Sequence, residues 1–233
     1  MPASAEHLAP FPATDPPFPW AHVGAGSHFA SRAAARTSHW QNSLDLLALA
    51  QSAHPLHASG RATVLGAPDG DVSLVAFIDY QSAASRALCA ELDLLLQQDT
   101  RLRVLLRHLP QRTPMATEAA QLVLGVPNAA VAARLHRYLA AAPMLDTATL
   151  QGAEARFRLQ PTPLGQANET LADTQALAAQ LGIDRAPALV LGHRLWRGPV
   201  PLDVLEDAVR AARRPRPPGS GAWHRFWRSS GLG

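Results

Sequence analysis

Val72–Leu96 reads "VSLVAFIDYQSAASRALCAELDLLL". Its first seven residues form a nearly unbroken apolar and β-branched run, the pattern of a strand covered on both faces. Beyond Asp79, Tyr80 and Gln81, leucines at 88, 92, 95 and 96 recur at helical spacing, so a helix is predicted over 82–98. Where strand gives way to helix stands "SAAS", Ser82 to Ser85. A helix N-terminus carries unpaired N–H groups and the positive end of the macrodipole, which favour negative charge and activate a thiol placed there. This chain puts two hydroxyls at that place and no thiol.

Working outward, "ATVLG" (62–66) reads as a short strand and "APDGD" (67–71) as a turn, while "RLRVLLRHL" (101–109) is the strand that follows the helix. The three strands and one helix make a βαβ unit on a buried sheet. From 114 to 182 the sequence reads as helical throughout. "MATEAAQLVLG", "NAAVAARLHRYLAAA", "DTATLQGAEARFRL" and "GQANETLADTQALAAQLG" are separated by Pro127, Pro143 and the "QPTP" of 160–163. "PALVLG" (187–192) and "HRLWRG" (193–198) then form a hairpin through Gly192 and His193, and a last helix spans 202–213. The class is α/β, in the order βαβ, helical block, ββα.

Around this body, 61–213, lie two segments of different composition. Residues 1–60 form a Pro/Ala/His-rich extension whose one periodic stretch, 43–53, predicts a short helix capped by Ser43. Residues 214–233 form a basic, aromatic tail in which arginines alternate with Trp223, Phe226 and Trp227. Such a tail suits an acidic partner or surface, and equally suits folding back onto the body. Nucleic acid is the weaker reading.

All 21 basic residues are arginine, which removes Schiff-base and lysine-base chemistry from consideration and points to a GC-rich genome. Six of the arginines fall within 210–233, which holds no acid, leaving 15 arginines against 18 acids before it, a net −3. The sequence pI of 9.9 therefore reports the tail more than the body. No apolar run reaches the roughly 18 to 20 residues of a membrane helix, so no span is expected. The first 40 residues lack a cationic start followed by an apolar core, and the single cysteine, Cys89, permits no internal disulfide. A cytoplasmic location is the expectation. The histidines show no metal-ligand spacing, and no metal site is expected.

The order of elements, a thioredoxin-like fold with a helical insertion between its halves, resembles the DsbA-like family of thioredoxin-fold disulfide oxidoreductases, a bacterial family. The likeness is carried by "GAPDGDVSLVAFIDY" (66–80), "RLRVLLRHLP" (101–110), "RAPALVLGHRLWRG" (185–198) and "PLDVLEDAV" (201–209), and covers 61–211. The resemblance implies a cis-proline loop at Ala186 and Pro187 facing the helix N-terminus, and a substrate-binding face formed by Tyr80, Ser82, Ala83, Ala186 and Pro187. It also implies Cys-x-x-Cys where Ser82 and Ser85 stand. Disulfide exchange needs a thiolate that attacks sulfur, so the dithiol reaction is expected to be absent, the motif being degenerate.

Three functions remain open at this point. The first is a non-redox module that binds a peptide or protein partner at the cis-proline face, in a shallow, largely apolar groove, with no cofactor. The second is a glutathione-dependent transferase or isomerase using Ser82: kappa-class glutathione transferases and related isomerases are similar in placing a serine at this position to hold the thiolate. The third is weak monothiol oxidoreductase activity through Cys89. Against the second stands a plain structural role for Ser82, an N-cap stabilising by about 1 kcal/mol. Against the third stands the place of Cys89, two turns into the helix beside Leu92, where a thiol packs as a small hydrophobe. His108 reads as a structural hydrogen-bonding residue.

Overall fold

The computed structural model describes residues 62–214 apart from 112, 161, 162 and 193. The extension 1–60, with the helix expected at 43–53, the hairpin residue His193 and the tail beyond 214 lie outside the described residues.

The elements are β1 (Thr63–Gly66), β2 (Val72–Ile78), α1 (Ala83–Gln98), β3 (Leu102–His108), α2 (Pro114–Leu124), α3 (Ala129–Ala141), α4 (Thr147–Phe157), α5 (Gly165–Gln180), β4 (Ala188–Leu191), β5 (Arg194–Arg197) and α6 (Leu202–Arg213). The five strands form one sheet in the order β1-β3-β2-β4-β5. β2 lies at its centre, parallel to β3 with Leu74 opposite Val104, and antiparallel to β4 with Phe77 opposite Ala188. This is the mixed α/β thioredoxin-like architecture with four helices inserted between βαβ and ββα.

The period of two along the central strands sorts their side chains between two layers. Leu74, Ala76 and Ile78 of β2 and Val104 and Leu106 of β3 join Leu88, Leu92 and Leu95 of α1, Leu135 and Leu139 of α3, and Leu205 and Val209 of α6 in one core. Val75, Phe77 and Leu105 face the other way and pack with Leu177 and Ala178 of α5 and with its C-cap residue Leu181. Leu88, Leu92 and Leu95 are each at most 2% exposed, and full burial of a leucine stabilises by about 1.5–3 kcal/mol. Leu96, expected among them, is only partly buried and packs at the margin, against Gly66.

One close approach fixes the turn between β1 and β2. Gly66 has φ +76, and a Cβ there would meet the Leu102 carbonyl oxygen and Leu96 Cδ2. Only glycine fits both the left-handed backbone and the space. Helix ends follow ordinary capping chemistry: Ser82, Thr113, Asn128 and Asp146 cap α1 to α4 through their side-chain oxygens, and Pro114 opens α2. α5 ends on Gly182 at φ +63, with Ile183 N–H bonding to Ala178 O at 2.8 Å, a Schellman-type stop.

Candidate functional site

The site lies where β2 runs out and α1 begins. Asp79 N–H donates to Ser85 Oγ at 3.1 Å, Ser82 N–H donates to Asp79 O at 2.9 Å, and Ser85 N–H donates to Ser82 Oγ at 3.2 Å. Ser82 has extended backbone angles (φ −82, ψ 116), as an N-cap requires, and is half-buried. Ser85 is 1% exposed, its oxygen enclosed against the end of β2. The two motif serines therefore have separate structural duties: one caps the helix and the other satisfies a buried strand-end amide.

The carboxylate of Asp79 organises the other side of this junction. It is 3% exposed, accepts Gln81 N–H on Oδ1 at 2.9 Å, and accepts Gln111 N–H on Oδ2 at 3.2 Å. Gln111 is the second residue of the loop leaving β3 beyond Leu109. Its side chain crosses to the loop before β4, where Oε1 accepts Ala186 N–H at 3.0 Å and Nε2 donates to Asp184 O at 2.6 Å.

The Ala186–Pro187 peptide is cis, and Pro187 O accepts Gly198 N–H from the far side of the hairpin at 2.8 Å. Because Ala188 pairs with Phe77, Pro187 and Ile78 sit at the same end of the sheet, four residues before Ser82. Ser82, Ala83, Ala186 and Pro187 thus gather at one end of the molecule, at the C-terminal end of β2.

The expected apolar groove is not what these residues form. Tyr80 is 2% exposed; its hydroxyl is hydrogen-bonded to His136 Nδ1 at 2.9 Å, and its ring lies 5.6 Å from that of His108. Pro187 is buried as well. The reason is the helical insertion: α3 brings His136 over the start of α1, so Tyr80 turns inward to share its hydroxyl. What remains at the surface is exposed Ala83 and Gln111, half-buried Ser82 and Ala186, and the exposed pair Asp184 and Arg185. It is a shallow, mainly polar edge. Three cavities, of about 410, 1070 and 450 Å³, lie on other faces and are lined chiefly by the helical insertion and its contacts with β1 and α1.

Behind the edge lies a buried polar cluster. His108 Nε2 and Thr63 Oγ1 are 3.0 Å apart, and burial holds the His108 pKa down at about 4. Burial, with His108 and Arg137 nearby, holds His136 well below its ordinary value, while burial pushes the Tyr80 hydroxyl well above its own. All three are neutral near pH 7. Cys89 is 4% exposed, and burial raises its thiol strongly, with Asp93 adding to the effect. A thiol so placed is neither ionised nor reachable, which removes support from the monothiol reading. Gln111 was not apparent from sequence. A polar residue just past the strand-end "RHLP" was its only signal.

No family model and no curated protein matches this chain. Solved structures do. The catalytic domain of Proteus mirabilis ScsC is 27% identical with a TM-score of 0.67, covering 72% of this chain and 97% of that one. A thioredoxin-like oxidoreductase from Silicibacter pomeroyi is 28% identical with a TM-score of 0.64, over 70% of this chain and 98% of that one. The thiol-disulfide exchange protein α-DsbA2 from Wolbachia pipientis, 16% identical with a TM-score of 0.63 over 73% and 96%, shares the fold. This sheet order, the helices inserted between its two halves and these likenesses show a DsbA-like thioredoxin fold, similar to that of the ScsC catalytic domain and of thioredoxin-like oxidoreductases.

Proposed function

We propose that the protein is a non-redox binding module that holds an extended peptide or a protein segment at the edge formed by Ser82, Ala83 and Ala186. One observation carries this reading. The strand-end and helix-start architecture is present, yet both motif positions are hydroxyls engaged by backbone amides, and Cys89 is enclosed. Neither oxygen can form a mixed disulfide, whereas main-chain groups at a loop edge bind extended chains without covalent chemistry.

Glutathione is the second reading. Ser82 favours it, being half-exposed at a helix N-terminus with a hydroxyl whose proton its capping role leaves available. The three large cavities, lying on other faces, do not support a tripeptide site there.

The deciding experiment is calorimetry on the wild type and Ser82→Ala with two probes, glutathione and a permanently unfolded polypeptide, reduced and carboxamidomethylated α-lactalbumin. Binding of the polypeptide that survives Ser82→Ala supports the module. Binding of glutathione alone, lost in Ser82→Ala, replaces it with a transferase. Insulin reduction by the wild type, sustained in Cys89→Ser, would defeat both readings.

Location follows as part of the proposal: a protein without a dithiol has no need of an oxidising compartment, and the cytoplasm fits its lone enclosed cysteine. A similar structure from Salmonella enterica, 24% identical, is a periplasmic thioredoxin-like protein, so cell fractionation is the direct check.

A further inference from the structure

The side-chain amide of Gln111 makes two bonds to one loop: it donates to the carbonyl of residue 184 and accepts from the N–H of residue 186. A donor and an acceptor fixed to backbone groups two residues apart are what one residue of a neighbouring parallel strand presents. The carboxamide is itself chemically a peptide group. We infer that Gln111 is an internal stand-in for bound polypeptide, occupying the backbone groups of 184–186 until an extended chain displaces it, and so sets which partners bind. This rests on the peptide-binding reading above and names the kind of partner: a segment already extended and unfolded, able to supply a backbone N–H and C=O together.

Three features make displacement reasonable. Both bonds are exposed to solvent, so water compensates the groups as they part. The backbone of Gln111 is held separately, its N–H on the buried Asp79 carboxylate, so the side chain swings without moving the loop that carries it. Finally, Ala186 is only half-buried and carries no more than a methyl group beside its N–H. A folded partner surface, with its own amides paired, gains nothing by replacing the carboxamide.

The test uses the full chain, with carboxamidomethylated α-lactalbumin as the probe, in wild type, Gln111→Ala and Gln111→Asn, the last being too short by a methylene to span both bonds. Amide exchange at Ala186 is followed by NMR alongside the probe affinity. Gln111→Ala is expected to speed Ala186 exchange in the free protein and to tighten probe binding about five- to tenfold, the worth of one to two exposed hydrogen bonds no longer broken on binding. Gln111→Asn should behave like Gln111→Ala, and probe binding to the wild type should shift the Gln111 side-chain amide resonance. Unchanged Ala186 exchange in both variants overturns the stand-in. Faster exchange with unchanged or weaker affinity shows a clasp that gates nothing, and overturns the inference while leaving the peptide reading intact. No probe binding by any variant, despite faster exchange, overturns the peptide reading and the gate together.

Discussion

The two ends of the sheet are held by different physics. At the end where α1 begins, buried and mostly uncharged groups are joined by hydrogen bonds: Tyr80 to His136, His108 to Thr63, and Ser85 to the Asp79 amide, with Asp79 as the one carboxylate. At the opposite end, Arg213 spreads its guanidinium between Asp71 and Asp99, with Arg101 adding a longer contact to Asp71. There the side chains of Arg213 and Asp99 are 23% and 18% exposed and that of Asp71 is 41%. The first end is specific and costly to disturb because unpaired groups have no water to turn to. The second is screened and tolerant. Ligand binding is proposed at the end that has geometry to offer.

The largest expected effect is at the buried end. Tyr80→Ala should cost about 3–5 kcal/mol in urea unfolding, the range for deleting a buried aromatic. A cost below about 1 kcal/mol would mean that Tyr80 is a surface residue after all.

Acid should act on the two ends in different windows. His108 and His136 have folded pKa values depressed by burial, so the unfolded chain takes up protons below about pH 6.5 while the folded one refuses them. Stability should therefore fall from about pH 6.5 to about pH 4, His108 alone contributing on the order of 3 kcal/mol. At the other end the Arg213 guanidinium beside Asp71 and Asp99 holds both carboxyls below their usual value, giving stability that is lost only as pH falls further, through those lowered values. A stability curve flat from pH 7 to pH 4.5 would erase the contrast.

Smaller effects sharpen it. Ser85→Ala leaves the buried Asp79 amide without its acceptor and should cost about 1–3 kcal/mol, whereas Ser82→Ala, losing an N-cap, should cost about 1 kcal/mol. Equal costs would mean that the two serines are interchangeable. The smallest expected change is Arg213→Lys: a point charge cannot grip two carboxylates as the planar fork does, so melting should fall slightly at low salt and show almost no difference at 1 M salt.

The framework of the fold was legible because it depends on local period. The apolar run of β2, the helical spacing of 88, 92 and 95 and the Pro and Gly punctuation each act within a few residues. The burial of Cys89 was readable for the same reason, two turns inside a helix whose inner face its leucines mark. The face of the site was not. Tyr80 looked like a lining residue because it adjoins the motif, but its orientation is decided by His136, 56 positions away on an inserted helix. Gln111 is bound to residues 73 and 75 positions away. No periodicity announces such partners; they are set by where the insertion packs. Ser82 lay between these extremes, since its capping role is local and any ligand role is not.

The sheet order has a consequence for how the chain is made. β2 is central, but its second neighbour, β4, begins at Ala188, 110 positions after Ile78. At roughly 5–20 residues per second, synthesis of that interval takes about 5–20 s, during which one edge of this central, largely apolar strand has no partner. An open apolar edge is a template for pairing with other chains. The nascent protein therefore has an interval of vulnerability that the finished one conceals, and the four inserted helices lengthen it. Slower translation through 114–182 should raise aggregation, and a chaperone that covers extended apolar segments should matter most between the emergence of Ile78 and that of Leu191.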